Sequence, residues 1–201
     1  MTIAILDYGA GNVSSVERAF QRLGAPTRKA CGPEDLEGAS ALVLPGVGHF
    51  GALSRALRER NLLPRLQAAL ERQVPFLGIC LGMQALYEAS VEAPGERGLG
   101  VFSGSVMPIP AGLKLPHMGW NQLRLVPGSQ LFRGLPPQAY FYFAHSYAVL
   151  APGQEAAAFC SYGTEFAAAV EQGVVFGVQF HPEKSGEAGA QVLRNFLECM
   201  P

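Results

Sequence analysis

Residues 75–84 read PFLGICLGMQ, an apolar run that leads into a cysteine between two glycines. Residues 75–79 have the length and composition of a buried strand, and residues 81–89 have the pattern of a helix. Glycines two positions before and two after Cys80 suit a sharp strand-to-helix turn, because the backbone is crowded there. The segment therefore predicts an α/β fold that presents Cys80 at the end of a strand.

The segments before this turn alternate between strand and helix patterns. Residues 3–8 and 41–44 are short apolar runs followed by glycine-rich turns, as buried strands often are. Residues 13–23 have apolar positions at helical spacing, with Gly24 where a C-terminal cap belongs, and residues 52–73 are also helical. This alternation predicts parallel strands with helices on both faces of the sheet.

The second half of the chain is richer in strands. The pattern predicts strands at residues 105–109, 122–126, 140–144, 156–161, 166–171 and 174–180. Turns such as that at residues 171–173 are typical of hairpins, and a last helix is predicted at residues 187–200. We expect residues 1–201 to form a single three-layer α/β domain, with a central mixed, mostly parallel sheet flanked by helices.

The composition excludes several classes of protein. Of 201 residues, 49% are apolar and 15% are charged, so the chain can bury a sizeable core and is not disordered. A formal net charge of -1 provides no basic surface for nucleic acid or an anionic membrane. The sequence begins without the basic leader of a signal peptide and has no apolar run of about 18 residues. We expect a cytoplasmic protein that binds neither nucleic acid nor membranes.

The cysteines give no sign of a metal site. Cys31, Cys80, Cys160 and Cys199 stand singly, without a Cys-x-x-Cys pair or a Cys/His group at zinc spacing. This usage is typical of reduced thiols in a reducing compartment. We expect neither a metal nor an organic cofactor.

Cys80 is a candidate nucleophile. The turn would place it at a helix N-terminus, where partial positive charge favours the thiolate, and the Leu81 N–H would point toward an oxyanion. The alternative is that Cys80 is a small buried apolar residue, as free cysteines often are.

His181 and Glu183 are the candidate base and its orienter. Pro182 biases His181 toward an extended conformation, in which side chains two residues apart point to the same side. Glu183 can then reach one imidazole nitrogen while the other faces a nucleophile, as an activated thiol requires. His145 also follows an aromatic strand and is the main rival base, but no carboxylate stands two residues after it.

Two glycine-rich loops and a segment with the single tryptophan carry weaker signals. Residues 45–51 could offer backbone N–H groups to a phosphate or an oxyanion. Residues 9–12 begin a dinucleotide fingerprint, but Ser14 stands where its third glycine belongs, which disfavours a Rossmann site. Residues 114–121 read as a loop, in which Met118 and Trp120 are either a partner surface or ordinary core.

Together these segments resemble the class I (triad) glutamine amidotransferases. Residues 78–84 and 177–183 are similar to the two signatures of that family, and residues 45–48 are similar to its oxyanion strand. A narrower resemblance, to the glutaminase subunits of imidazole glycerol phosphate synthases, rests on residues 7–12, 115–121, 143–147 and 183–185. One departure is Ala144, where a bulkier apolar residue is expected. The resemblance spans almost the whole chain and implies the flavodoxin-like class I amidotransferase fold.

The resemblance implies roles for individual residues. Cys80 would be the nucleophile, His181 the general base and acid, and Glu183 the orienter of His181. The oxyanion site and glutamine pocket would be formed by Val47, Gly48, Leu81, Gln84, Glu92, His145, Ser146 and Tyr147. The partner interface would include Gly11, Asn12, Met118 and Trp120.

The implied reaction is hydrolysis of glutamine to glutamate and ammonia. Free ammonia would escape into bulk water, and the chain has no room for a second catalytic domain of typical size. The acceptor enzyme would therefore be another polypeptide, reached through an ammonia channel. The resemblance implies a (β/α)8 barrel cyclase subunit, bound as a heterodimer in histidine biosynthesis.

Three other functions stay open from the sequence. A glutaminase of another biosynthetic pathway would keep the triad and change the acceptor. A flavodoxin-like binding module for a phosphate or nucleotide would leave Cys80 buried and inert. A cysteine hydrolase or esterase would share the turn at Cys80 but need neither a channel nor a partner.

Overall fold

A computed structural model describes residues 2–110 and 112–200 of the chain. The strands are β1 (Ile3–Leu6), β2 (Thr27–Ala30), β3 (Ala41–Gly46), β4 (Phe76–Cys80), β5 (Tyr87–Ser90), β6 (Phe102–Pro108), β7 (His117–Gln122), β8 (Arg124–Leu125), β9 (Tyr140–His145), β10 (Tyr147–Ala148), β11 (Ala156–Tyr162), β12 (Thr164–Gln172) and β13 (Val175–Val178). The helices are α1 (Val13–Arg22), α2 (Phe50–Glu59), α3 (Leu62–Glu71), α4 (Leu81–Gln84) and α5 (Gly186–Glu198). Within the described ranges, no helix is both long and apolar enough to span a membrane.

Eight strands form one mixed sheet in the order β2-β1-β3-β4-β13-β12-β11-β8. The strands from β2 to β13 in that order run parallel to their neighbours, and β12, β11 and β8 continue the sheet in antiparallel pairs. A three-stranded sheet (β10-β6-β5) and the antiparallel pair of β7 and β9 complete the strand pairing. The prediction of a mixed, mostly parallel sheet is confirmed.

Apolar residues cover both faces of the large sheet. Because side chains alternate along a strand, Ile3 and Ile5 of β1 point into one core, whereas Ala4 and Leu6 point into the other. The first core contains the apolar faces of α1 and α5, and the second contains those of α2 and α3. The helices therefore flank the sheet as a three-layer arrangement requires.

The cap of α1 follows the sequence pattern. Gly24 has a φ of +77°, a conformation that glycine adopts without a side-chain clash. Its N–H donates to the Gln21 carbonyl over 2.9 Å, and the Ala25 N–H donates to the Phe20 carbonyl over 3.1 Å. This pair of bonds is a Schellman motif, so the predicted C-terminal cap is confirmed.

The predicted helix at residues 81–89 is wrong beyond its first turn. Helix α4 ends at Gln84, and Tyr87–Ser90 is strand β5. The Ala85 carbonyl accepts the Leu99 N–H, and the Leu86 carbonyl accepts the N–H groups of Val101 and Phe102. These bonds to a distant segment replace the bonds that a longer helix would make, so pairing of β5 with β6 overrides the local pattern.

The predicted loop at residues 114–121 is also wrong, since His117–Gln122 is strand β7. Most of its side chains are at least partly exposed, so the segment lacks the apolar alternation that marks a strand. Its pairing along the whole length of β9 makes it a strand.

Two other strands differ from the prediction. The strand predicted at residues 122–126 is reduced to β8. Strand β2 is not predicted because its sequence, TRKA, contains little apolar surface.

The sheet order brings three loops together. Strands β3, β4 and β13 are adjacent and parallel, with Gly46 opposite Cys80 and Ile79 opposite Val178. Their carboxyl ends therefore meet at one edge, where ligands bind in open α/β sheets. The glycine-rich loop after β3, the Cys80 turn and the segment that leads to His181 all start from this edge.

Candidate active site

The turn at Cys80 has an unusual backbone. Cys80 has φ +54° and ψ -108°, a region that residues with a side chain rarely occupy. A Cβ at Gly82 would lie 1.8 Å from the Leu44 carbonyl oxygen, and one at Gly78 would lie 2.5 Å from the Gly82 carbonyl oxygen. Only glycine fits either position, because a larger residue would push α4 away from β3 and β4.

Helix α4 is too short to supply the partial positive charge that the sequence pattern predicts at its N-terminus. It has a single turn, Leu81–Gln84, so few peptide dipoles align behind Cys80. The positive charge near the sulfur comes instead from a side chain, His181.

His181 lies between Cys80 and Glu183. Its Nδ1 is 2.9 Å from Oε1 of Glu183, and both side chains are almost fully buried, at 3% and 1% exposure. Burial alone would lower the pKa of His181, but hydrogen bonds to Cys80 and Glu183, together with their charges, raise it to about 10. The imidazole is therefore protonated at neutral pH and can pair with a Cys80 thiolate.

Backbone contacts hold His181 in place. Its conformation is extended, with φ -102° and ψ 96°, as the following proline favours. The His181 N–H donates to the Tyr142 carbonyl over 2.8 Å. The Ser185 hydroxyl donates to the His181 carbonyl over 2.7 Å and accepts the Tyr142 N–H over 3.0 Å. Ser185 thus ties His181 to β9, a contribution that the sequence analysis missed.

A cavity of about 190 Å³ opens at Cys80. The sequence-predicted oxyanion and glutamine-pocket residues all line it. Its wall consists of Val47, Gly48, Cys80, Leu81, Gln84, Glu92, Pro116, Ala144, His145, Ser146 and Tyr147. The structure therefore brings these residues together around the sulfur of the candidate nucleophile.

Two side chains give the cavity acceptors for a cation. The Glu92 Oε2 accepts the Phe50 N–H at the start of α2, over 2.7 Å. Gln84 uses Nε2 to donate to the Tyr147 carbonyl (2.9 Å) and to the Gln179 Oε1 (3.0 Å). Both amide hydrogens of Gln84 are then engaged, which leaves its Oε1 as the atom for a ligand. A carboxylate and an amide oxygen suit an ammonium group such as that of an amino acid.

His145, the rival base, has no nitrogen free. Its Nδ1 is 2.9 Å from the Tyr147 carbonyl, which can only accept, so Nδ1 carries the proton. The Nε2 is 3.1 Å from Nδ1 of His117 and therefore accepts from it. Burial lowers the pKa of His145 to about 3 and that of His117 to about 4, so both rings are neutral at neutral pH. This buried pair is structural, and the sequence analysis missed it.

The sequence pattern of the family Glutamine amidotransferase class-I matches residues 4–199 of the chain. The chain belongs to the class I glutamine amidotransferases. It is therefore a glutamine-hydrolysing enzyme, and a cysteine nucleophile is characteristic of its family.

Two curated relatives of this amidotransferase carry the same name. The chain is 45% identical over 199 residues to "Imidazole glycerol phosphate synthase subunit HisH" of Moorella thermoacetica, which covers 98% of this chain and 95% of that protein. It is 49% identical over 198 residues to the protein of the same name from Methanothermobacter thermautotrophicus, covering 98% of each.

Solved structures agree on the fold. A structure described as a glutamine amidotransferase superposes with a TM-score of 0.79 at 24% identity, covering 98% of this chain and 97% of that one. A structure of PurLQS from Thermotoga maritima gives a TM-score of 0.78 at 19% identity, with the same coverage. At these identities the likeness concerns the fold, and it confirms the expected fold class.

An apolar surface lies on the β7–β9 pair of the amidotransferase. Met118 and Trp120 of β7 are 64% and 55% exposed, and Tyr140 of β9 is also exposed. Their exposure contradicts the alternative that Met118 and Trp120 belong to the core. Gly11 and Asn12 stand at the start of α1, where a Cβ on Gly11 would lie 3.5 Å from the Pro45 carbonyl oxygen. That loop therefore contacts the glycine-rich loop of the cavity.

The pKa values predict distinct charge states for the histidines. Because the pKa of His181 is raised to about 10, its ring should keep both protons from the ordinary value of 6.5 up to alkaline pH. The lowered pKa values of His117 and His145 should keep those rings neutral, with the proton on Nδ1, as the pH falls from 6.5 toward 4. Two-dimensional ¹⁵N–¹H NMR of the imidazole rings measures both states.

The His181→Gln variant assigns the His181 signals in the same spectra. A His181 ring that titrates near 6.5 would contradict the ion pair with Cys80.

The same pKa shifts set the sign of the pH dependence of folding stability. The contribution of His181 to the free energy of unfolding is complete below pH 6.5 and is lost as the pH rises toward 10. The contributions of His117 and His145 are present above pH 6.5 and are lost as the pH falls below it.

Proposed function

We propose that the chain is the glutaminase subunit of an imidazole glycerol phosphate synthase, with Cys80, His181 and Glu183 as its catalytic triad. The observation that carries this proposal is the buried His181–Glu183 pair beside Cys80, whose sulfur faces a cavity with acceptors for an amino-acid ammonium group. The names of relatives at 45% and 49% identity over nearly the full chain support the assignment to this synthase.

The first half of the reaction transfers the glutamyl group to sulfur. The Cys80 thiolate attacks the side-chain amide carbon of glutamine, and the carbonyl electrons move onto oxygen. The Leu81 N–H and the backbone of Val47 and Gly48 are the donors for this oxyanion, each worth roughly 10²–10³ in rate. The His181 imidazolium gives its proton to the amide nitrogen, so ammonia leaves and a thioester forms.

The second half returns the enzyme to its starting state. Neutral His181 takes a proton from water, and the resulting hydroxide attacks the thioester carbon. Glutamate leaves as Cys80 becomes a thiolate again, paired with the newly protonated imidazole. Glu183 keeps the ring oriented through both steps and stabilises its charge, as a third member of a triad does. Gln84, Glu92 and the backbone of residues 145–147 hold the amino-acid end of the substrate.

The ammonia would pass to a second subunit. We assign Gly11, Asn12, Met118 and Trp120 to the interface with a (β/α)8 barrel cyclase, because the last two form an exposed apolar surface. A closed passage between the two proteins would keep ammonia from water. We further propose that residues 1–201 form one domain, since a single sheet carries both cores, and that the enzyme works in the cytoplasm without a cofactor.

The Cys80→Ser substitution tests the triad. Release of ammonia and glutamate from glutamine should fall at least about a thousandfold, because a serine hydroxyl does not form the ion pair with His181. Cys31→Ser, which changes an exposed cysteine in the same way, serves as the matched control and should keep full activity. Unchanged hydrolysis in the Cys80→Ser variant would rule out Cys80 as the nucleophile.

The same assay identifies the acceptor when it is run with a barrel cyclase and the nucleotide ligand of that cyclase. Stimulation of glutamine hydrolysis by both components supports the imidazole glycerol phosphate synthase. Cys80-dependent hydrolysis whose rate does not change when the cyclase is added would assign the glutaminase to a different pathway. Hydrolysis of simple esters by the chain alone would favour the esterase alternative.

The Trp120→Ala substitution tests the partner surface. The Kd for the cyclase should rise about tenfold or more, as expected for truncating a tryptophan at the centre of an interface. Met107→Ala removes another exposed apolar side chain, on β6 of a different sheet, and should leave the Kd unchanged. Calorimetric titration measures both values, and equal Kd values for wild type and Trp120→Ala would remove Trp120 from the interface.

A further inference from the structure

Gln179 lies beside the triad and has no part in the mechanism described above. It directly follows β13 and is fully buried. Its backbone N–H donates to the Ala168 carbonyl over 2.8 Å, which fixes the residue against β12. Among the described residues its side chain makes two hydrogen bonds, with Oε1 at 3.0 Å from Nε2 of Gln84 and Nε2 at 3.6 Å from Sγ of Cys80.

The orientation of the Gln179 amide follows from the chemistry of its neighbours. The Tyr147 carbonyl can only accept, so the Gln84 atom that contacts it must be the donor Nε2. That nitrogen can only donate, so the Gln179 atom that contacts it must be Oε1. The Gln179 Nε2 is then left to face the Cys80 sulfur, with a hydrogen available to it.

The Tyr147 carbonyl, at which this series of hydrogen bonds begins, has no lone pair left for another donor. His145 donates its Nδ1–H to the same Tyr147 carbonyl, whose two lone pairs are then occupied. Rotating the amide of Gln84 would place its oxygen against the Tyr147 and Gln179 oxygens, whereas rotating that of Gln179 would place two NH2 donors against each other. Because the side chains of Gln84, Gln179 and His145 are buried, water cannot easily compensate for such a rotation.

We propose that Gln179 is a catalytic residue whose Nε2–H donates to the Cys80 sulfur and stabilises the thiolate. This inference rests on the proposed function. His181 is charged when the thiolate attacks, but its proton leaves with ammonia and returns only as the thioester breaks. The Gln179 donor keeps its hydrogen throughout, so it can hold the sulfur at each stage. Gln84 acts as a positioning residue that keeps the donor aimed.

The Gln179→Met substitution tests the donor with little change in volume. The rate of Cys80 alkylation by iodoacetamide is measured against pH, through mass spectrometry of the peptide that contains Cys80. The midpoint of this pH profile should rise by at least about half a unit, which lowers the rate below the midpoint about threefold. Gln67→Met, an exposed position on α3, is the matched control and should leave the profile unchanged.

A second pair of variants separates this role from packing. Gln84→Met removes the support without touching the sulfur, so it should raise KM for glutamine more than it moves the alkylation midpoint. Gln179→Glu keeps an acceptor for Gln84 and replaces the donor with a carboxylate oxygen. Its midpoint should rise at least as far as that of Gln179→Met. If Gln179 only supported Gln84, Gln84→Met would raise the midpoint as far as Gln179→Met does, and the rise in Gln179→Glu would reflect the added carboxylate alone.

The outcomes distinguish this inference from the proposed function. Wild-type hydrolysis that depends on Cys80, together with unchanged alkylation midpoints in both folded Gln179 variants, would overturn the role of Gln179 and leave the glutaminase standing. Failure of the wild-type chain to hydrolyse glutamine with its partner would overturn the function itself. If Gln179→Met does not fold, Gln179→Leu, which also lacks both a donor and a charge, takes its place in this comparison.

Discussion

The positive φ of Cys80 is the constraint on which the rest of the site depends. A backbone of this kind costs about 1–3 kcal/mol, and it persists only where the surrounding structure enforces it. Here the enforcement comes from β3, β4 and β13, which are buried on both faces, and from α4, which packs against them through Gly78 and Gly82. The strain places the sulfur at the strand edge, in the wall of the cavity.

Electrostatics then gives the sulfur its chemistry. Glu183 and Cys80 both face His181 in a region with almost no exposure, where interactions between charges are stronger than in water. The ring therefore stays protonated despite its burial. One turn of helix cannot provide this charge, so the pairing of Cys80 with His181 replaces the helix effect that the sequence alone suggested. Buried polar side chains around the sulfur, above all Gln84 and Gln179, fix the geometry of the pair.

Much of the site could be predicted from the sequence because the sheet gathers strand ends. The cysteine between glycines and the His-Pro-Glu segment each followed an apolar run, and parallel strands bring such ends together. The resemblance to a family added the oxyanion and glutamine-pocket residues, and all of these line one cavity.

Features that depend on pairing between residues distant in sequence could not be predicted from the local pattern. Strands β5 and β7 depend on partners that the local pattern does not reveal, so that pattern predicts a helix at the first and a loop at the second. Gln179 lies within residues 177–183, which resemble a family signature, but the direction of its amide depends on Gln84 and Tyr147, which are distant in sequence. The His117–His145 pair likewise exists only because β7 pairs with β9.

Attack of Cys80 on the glutamine side chain is tested most directly with a glutamine analogue that carries a chloromethyl ketone in place of the side-chain amide. Mass spectrometry of the digested complex would locate the adduct. We expect modification of Cys80 alone, prevented by excess glutamine, with loss of glutamine hydrolysis in parallel. Modification of another residue, or full hydrolysis after Cys80 is modified, would contradict a mechanism built on the Cys80 turn.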